Sequence, residues 1–179
     1  MDEIKLKTQE QIAAMRIAGR VTAEVLDIMR EAVRPGISTG ELDRLAEEHI
    51  RANNGIPAFK NYRPSSNMTP FPSTICASIN DEIVHGIPKF SRVLEEGDII
   101  SVDVGAYING WCGDAACTYP VGEISDERQK LLKVTEESLN LAIAQALSGH
   151  TLGDIGHAVE GYVKPLGYGV VRDYTGHGR

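Results

Sequence analysis

The run from Ile99 to Thr118, I-I-S-V-D-V-G-A-Y-I-N-G-W-C-G-D-A-A-C-T, leaves the backbone little choice. Two apolar, β-prone stretches flank Asn109-Gly110. An Asn-Gly pair in that setting signals a two-residue hairpin turn, because both central residues must take positive φ. The turn sets Ile108 opposite Trp111, which puts Gly105 opposite Asp114 and Asp103 opposite Ala116. Side chains alternate between the faces of a strand, so Asp103, Gly105 and Asp114 share one face. The two aspartates then stand on a diagonal of the ladder, roughly 7–8 Å apart at the backbone. Both interrupt runs that read as buried strand. Two bare carboxylates on one buried face would have to share a proton or hold a cation. Gly105 and Gly113 read as leaving room beside them. The hairpin alone also allows a plainer reading, with one aspartate capping a turn and the other solvated on the outer face.

The rest of the chain narrows the class. Its 179 residues suffice for one domain with a core, and 42% of them are hydrophobic, as in globular proteins. No apolar run approaches a membrane span, and the charged start MDEIKLKTQE lacks the apolar centre of a signal peptide. Cys76, Cys112 and Cys117 are odd in number and without zinc-ribbon spacing, which argues against a disulfide framework and suits a reducing cytoplasm. The net charge of -7 and the lack of a basic run argue against nucleic acid as a partner. A cytoplasmic protein acting on a small or peptidic substrate is expected, with no membrane partner.

Helical periodicity marks a first helix over about 8–34, with Ile12, Met15, Ala18, Val25 and Met29 on one stripe and a Thr8/Gln11 capping box. Pro35-Gly36 ends it, and Ser38 or Thr39 caps a second helix through about Asn53. Residues 56–73 are rich in Pro, Ser and Asn and read as loop. Thr74–Ile79 and Ile83–Ile87 read as strands, with His85 on the second. Ser125 starts a helix to about Leu147, Thr151 caps another to about Val163, and Tyr168–Asp173 reads as a strand. His49, His150 and His157 fall on helices or turns and read as surface residues.

The two helical pairs resemble each other. Gly36-Ile37-Ser38-Thr39-Gly40-Glu41-Leu42 aligns with Gly149-His150-Thr151-Leu152-Gly153-Asp154-Ile155. Either the chain holds duplicated halves or two helix-turn-helix units share the same capping chemistry.

Three strings then act together: S-I-N-D-E-I-V-H-G-I-P at 78–88, V-D-V-G-A-Y-I-N-G-W-C-G-D at 102–114, and Y-T-G-H-G at 174–178. In this order and spacing they resemble the type I methionine aminopeptidases. The resemblance implies an α+β pita-bread fold, with two pseudo-symmetric halves whose helices pack on a curved antiparallel sheet. It implies one catalytic domain over 1–179 and removal of the initiator methionine when the second residue is small. It implies one or two divalent ions (Co, Mn, Fe or Zn). Peptide or nascent-chain N-termini would be the partners, with the ribosome a further candidate. Carried over residue by residue, Asp103, Asp114 and His177 would ligate metal, with Asp114 bridging two ions. His85 would be the catalytic histidine that hydrogen-bonds substrate near the scissile amide. Met68, Phe71 and Cys76 would line the methionine pocket.

The family pattern also calls for a further histidine and two glutamate ligands beyond Arg179. The second half is therefore expected to be incomplete, and the 179-residue chain alone is expected to bind metal weakly, to expose apolar surface and to lack full activity. Two other readings remain. An Xaa-Pro aminopeptidase would carry an extra N-terminal domain, whereas the first helix here begins near residue 8. A non-catalytic pita-bread protein binding peptide or ribosome would have lost ligands that Asp103, Asp114 and His177 retain.

Overall fold

A computed structural model describes residues 6–63 and 65–174. They divide at Ile124/Ser125 into two compact units.

The first unit opens with helix α1, Gln9–Ala32, started by the expected capping box between Thr8 and Gln11. Its Ala18, Val21, Val25 and Met29 are buried, one stripe at helical spacing. Gly36, at φ +88, turns the chain into α2, Thr39–Ala52. Ser38 caps this helix: its hydroxyl accepts from Glu41 N–H, and the Glu41 carboxylate accepts from Ser38 N–H at 3.0 Å. Leu42, Ala46 and Ile50 of α2 are completely buried. Burying a side chain the size of Leu42 or Ile50 contributes about 1.5–3 kcal/mol. His49 is more than a surface residue, because its Nε2 lies 2.9 Å from a Glu24 carboxylate oxygen and ties α2 to α1.

The sheet is antiparallel and built on one strand. Strands β1 (Ile56–Pro57), β2 (Ile75–Ile79), β3 (Ile99–Ile108) and β4 (Trp111–Pro120) form it. β4 pairs with β3 along its whole length, Ile99 to Pro120 and Ile108 to Trp111. β2 takes Ile100–Val104 of the opposite edge, and β1 takes Ala106 and Tyr107 further along. The hairpin register is as read from the turn, with Gly105 facing Asp114 and Asp103 facing Ala116. Asn109 and Gly110 have φ of +50 and +83. β1 lies inside the stretch read as loop. A two-residue strand ending in proline carries no periodic signal, and proline is tolerated only where an amide is not needed by the ladder.

The two faces of β3 differ. Ile100, Val102, Val104, Ala106 and Ile108 are buried under α1 and α2. Ser101, Asp103 and Tyr107, on the other face, are only partly buried, and Asp114 is exposed. The carboxylates thus lie on the open face of this unit, not on a buried one, because both helices pack against the even-numbered side. The glycines also divide their roles. Gly113 faces α1, where a Cβ would stand 2.6 Å from the Ala18 carbonyl oxygen. It makes room for a helix, not for the aspartates.

The expected strand over Ile83–Ile87 does not form. His85 has φ +60, which breaks an extended strand, and the segment meets β2 without forming a ladder. There Ala77 N–H donates to the Gly86 carbonyl at 2.8 Å and Gly86 N–H donates to Ser78 Oγ at 3.1 Å.

The second unit pairs α3 (Asp126–Gln145) with α4 (Leu152–Val163), followed by a short 3-10 turn at Lys164–Leu166. Ser125 caps α3, and Asp154 accepts from both the Thr151 N–H and hydroxyl at the start of α4. Gly149 has φ +92, matching Gly36. Tyr162 hydroxyl binds Glu137 across the pair, and Lys130 Nζ stands 5.8 Å from the Tyr168 ring centre. Tyr168–Asp173 is irregular, not a strand, and pairs with no strand among the described residues. An extended segment without a ladder partner has nothing to hold it as a sheet element. No helix among the described residues is long and apolar enough to cross a membrane.

The close approach at Gly113 gives a direct check. Gly113→Ala is expected to destabilise the chain by about 1–3 kcal/mol through overpacking against α1. Gly110→Ala, with no atom within 4 Å but φ +83, would act through backbone strain alone. Urea unfolding of both variants measures the two effects.

Candidate metal centre

The aspartate face reads as rows across the sheet. Cys76, Asp103 and Ala116 form one row, since Cys76 pairs with Asp103 and Asp103 with Ala116. Gly105 and Asp114 form the next. Ser78, Ser101 and Thr118 form the row on the far side, with Ser101 Oγ and Thr118 Oγ1 2.8 Å apart. Asp103 and Asp114 therefore meet across the diagonal between adjacent rows.

Gly105 is bare because something else occupies its space. A Cβ there would meet the Phe59 ring at 2.8 Å and the Ala58 methyl at 3.0 Å. Ala58 N–H donates to the Gly105 carbonyl at 2.9 Å, which holds this segment against β3 just past β1. Phe59 thus stands on the aspartate face, over Gly105 of β3. Sequence reasoning missed it, since residues 56–73 read as loop. The available signal was Gly105 itself, a glycine inside a strand.

Cys76 reports on the local field. It is buried, and its thiol is pushed up to about 12, first by burial and then by the negative charges of Asp103, Asp114 and Asp43. The His85 backbone N–H donates toward its sulfur and opposes the shift. One buried thiol is therefore within electrostatic reach of both sheet aspartates and within hydrogen-bond reach of His85. This brings together four of the residues singled out in the sequence: Cys76, His85, Asp103 and Asp114.

His85 is exposed and held with φ +60, a conformation that costs a non-glycine residue about 1–3 kcal/mol. Gly86 next to it packs backbone to backbone on Ala77 and has no space for a Cβ. Phe71 is partly buried and bridges to the neighbouring chain, with Asn61 N–H donating to its carbonyl and its own N–H donating to that of Tyr62. Met68 is 51% exposed, in the turn that follows Ser65. His177 lies outside the described residues. Among the described residues no three His, Cys, Asp or Glu side chains form a metal-holding group. The donors present, two carboxylates on one face, are oxygen ligands of the kind that divalent ions such as Mn take.

Comparison with known proteins identifies the family and the fold. The pattern of Metallopeptidase family M24 matches residues 13–179. The methionine aminopeptidase of Clostridium acetobutylicum is 51% identical over 98% of this chain and 68% of its own length. Methionine aminopeptidase 1 of Bacillus subtilis is 49% identical over 96% of the chain and 66% of its own length. Among solved structures, the methionine aminopeptidase of Rickettsia prowazekii superposes with a TM-score of 0.91 at 39% identity, covering 98% of this chain and 68% of that one. An Xaa-Pro dipeptidase of Bacillus anthracis, at 23% identity and a TM-score of 0.76, shares the fold. The chain thus spans about two thirds of the length of the relatives it matches, and its α+β architecture is the pita-bread fold of these enzymes. With its aspartate hairpin in the register described and residues 13–179 fitting the pattern, the chain belongs to metallopeptidase family M24.

Proposed function

We propose that this chain carries the metal-holding part of a methionine aminopeptidase, an enzyme that hydrolyses the bond after an N-terminal methionine when the second residue is small. One observation carries the reading: Asp103 and Asp114 share one side of the β3–β4 hairpin, on a diagonal of the ladder. Names and identities of the relatives support the reaction class. Xaa-Pro cleavage gains less support, since the relative of that kind is only 23% identical.

In this reading Asp103 and Asp114 hold a divalent ion, Co, Mn, Fe or Zn, with His177 as the third ligand. When bound, such an ion lowers the pKa of water and polarises the peptide carbonyl. The chain's own residues do the rest. His85, exposed at the rim, donates a hydrogen bond to the substrate near the scissile amide and stabilises charge that develops there. Its backbone takes a left-handed conformation, and its N–H donates toward Cys76. Phe71 and Cys76, with Met68 at the mouth, supply the apolar pocket for the thioether side chain. Phe59 adds a ring on the same face. The substrate is the N-terminus of a peptide or nascent chain, and the ribosome would bring it near.

Calorimetric titration with Mn2+ or Co2+ is expected to give a binding isotherm that Asp114→Asn weakens by at least about tenfold. Absence of metal heat from the parent chain would remove the physical basis of the reading. Methionine release from a Met-Ala-Ser peptide, measured on the chain extended to the length of its relatives, is expected to stop on chelation and return with added metal. In the same assay His85→Ala should lower kcat by about 10²-fold. Unchanged kcat would take His85 out of the reaction.

A further inference from the structure

Asp43 lies on α2, the helix that covers the closed side of the sheet, yet it reaches the strand that lines the open side. One carboxylate oxygen, Oδ1, accepts from two consecutive amides, Thr74 N–H at 2.8 Å and Ile75 N–H at 2.9 Å. Ile75 is the first residue of β2 and Thr74 the one before it, immediately ahead of Cys76. Two successive amides of a regular strand point in opposite directions, so one acceptor for both fixes a bend at this point. The Thr74 hydroxyl is buried and has no hydrogen-bond partner among the described residues, so the side chain does not share the task. Burial pushes the Asp43 carboxyl up, while the two amides and Lys60 pull it back. Its charge is felt at the Cys76 thiol alongside those of Asp103 and Asp114.

One helical turn on, Glu47 repeats the pattern. It pairs with Lys60 at 2.6 Å and Arg51 at 2.7 Å. Lys60 follows Phe59, the ring that fills the space over Gly105. Residues four apart lie on one face of a helix. A single stripe of α2 thus anchors both chain segments that reach the aspartate face at β3's second edge.

From this we infer that Asp43 is a positioning residue for the candidate site: by holding the amides of Thr74 and Ile75 it sets where Cys76 stands opposite Asp103, and so shapes the pocket wall. The inference rests on the methionine aminopeptidase reading for its consequence, but not for its geometry. Hydrogen bonds to a charged acceptor are the strong ones, so their loss is readable. Asp43→Ala should raise amide exchange at Thr74 and Ile75 by about tenfold or more. It should also raise iodoacetamide labelling of Cys76, mapped by mass spectrometry, by about tenfold. Asp43→Asn keeps an acceptor oxygen and should stay within about threefold of the parent on both measures. Val25→Ala, which opens the α1 core without touching β2, serves as the destabilised control and should leave Cys76 labelling near the parent value. In the length-extended enzyme, Asp43→Ala should raise KM for Met-Ala-Ser by about fivefold or more, with kcat within about twofold. Unchanged exchange and labelling in Asp43→Ala overturns the inference. So does a control that moves them as much, or a failure of Asp43→Asn to restore them. If exchange and labelling respond as expected but the parent enzyme releases no methionine, the placement stands and the proposed function falls.

Discussion

Everything in the first unit depends on β3 having two occupied edges and two different faces. β4 runs along one edge from end to end, and β2 and β1 share the other. With both edges taken, the strand cannot shift without breaking several ladders at once. Its even-numbered side chains are the core under α1 and α2, and its odd-numbered ones carry the site. A slip of one residue would drive Asp103 into the apolar layer and expose Val102 and Val104. The energy that keeps the carboxylates in register is thus the burial of their neighbours. The Asn109-Gly110 turn selects that register locally, and the buried face confirms it at long range.

The candidate site is assembled from segments that are irregular in themselves but tied down at their ends. The strand pair presents the two acids on a stiff support, as a pair of ligands would require. Around it lie the Phe59 segment, held by Ala58 to Gly105, and the His85 segment, held by Gly86 to Ala77 and Ser78. Gly105 and Gly86 mark the points where these segments touch the sheet too closely for a Cβ. The strain at His85 is compatible with this design, because the backbone hydrogen bonds on its C-terminal side over-determine the conformation. Burial first, and then the charges of Asp103, Asp114 and Asp43, push the Cys76 thiol up, so the sulfur packs as a neutral group in this wall.

What the sequence made legible was what local chemistry decides. Asn109-Gly110 gave the hairpin register, and Thr8, Ser38, Ser125 and Thr151 gave the four helix starts. The face shared by Asp103 and Asp114 followed from alternation alone. The errors all concern long-range decisions. Ile83–Ile87 has strand composition, but the ladder it would join is not there, and the segment bends at His85. β1 has no strand signal and exists because β3 has an edge to fill beyond β2. Burial of the aspartate face was misjudged because alternation tells which side chains share a face, not which face the helices choose. Gly113 was read with the wrong face for the same reason: its parity puts it under α1.

The two helix-turn-helix pairs separate local code from tertiary burial. Gly36 and Gly149 take the same left-handed turn, and Glu41 and Asp154 close the same box on Ser38 and Thr151. Yet α1 buries Ala18, Val21, Val25 and Met29, whereas α3 buries only Val134 and Ser138 among the described residues. Helix starts and the turn between helices are thus written in capping residues and a glycine, independently of how much apolar face is covered. Each helical pair can therefore form with so different an apolar support, because its caps and its turn are satisfied inside the pair.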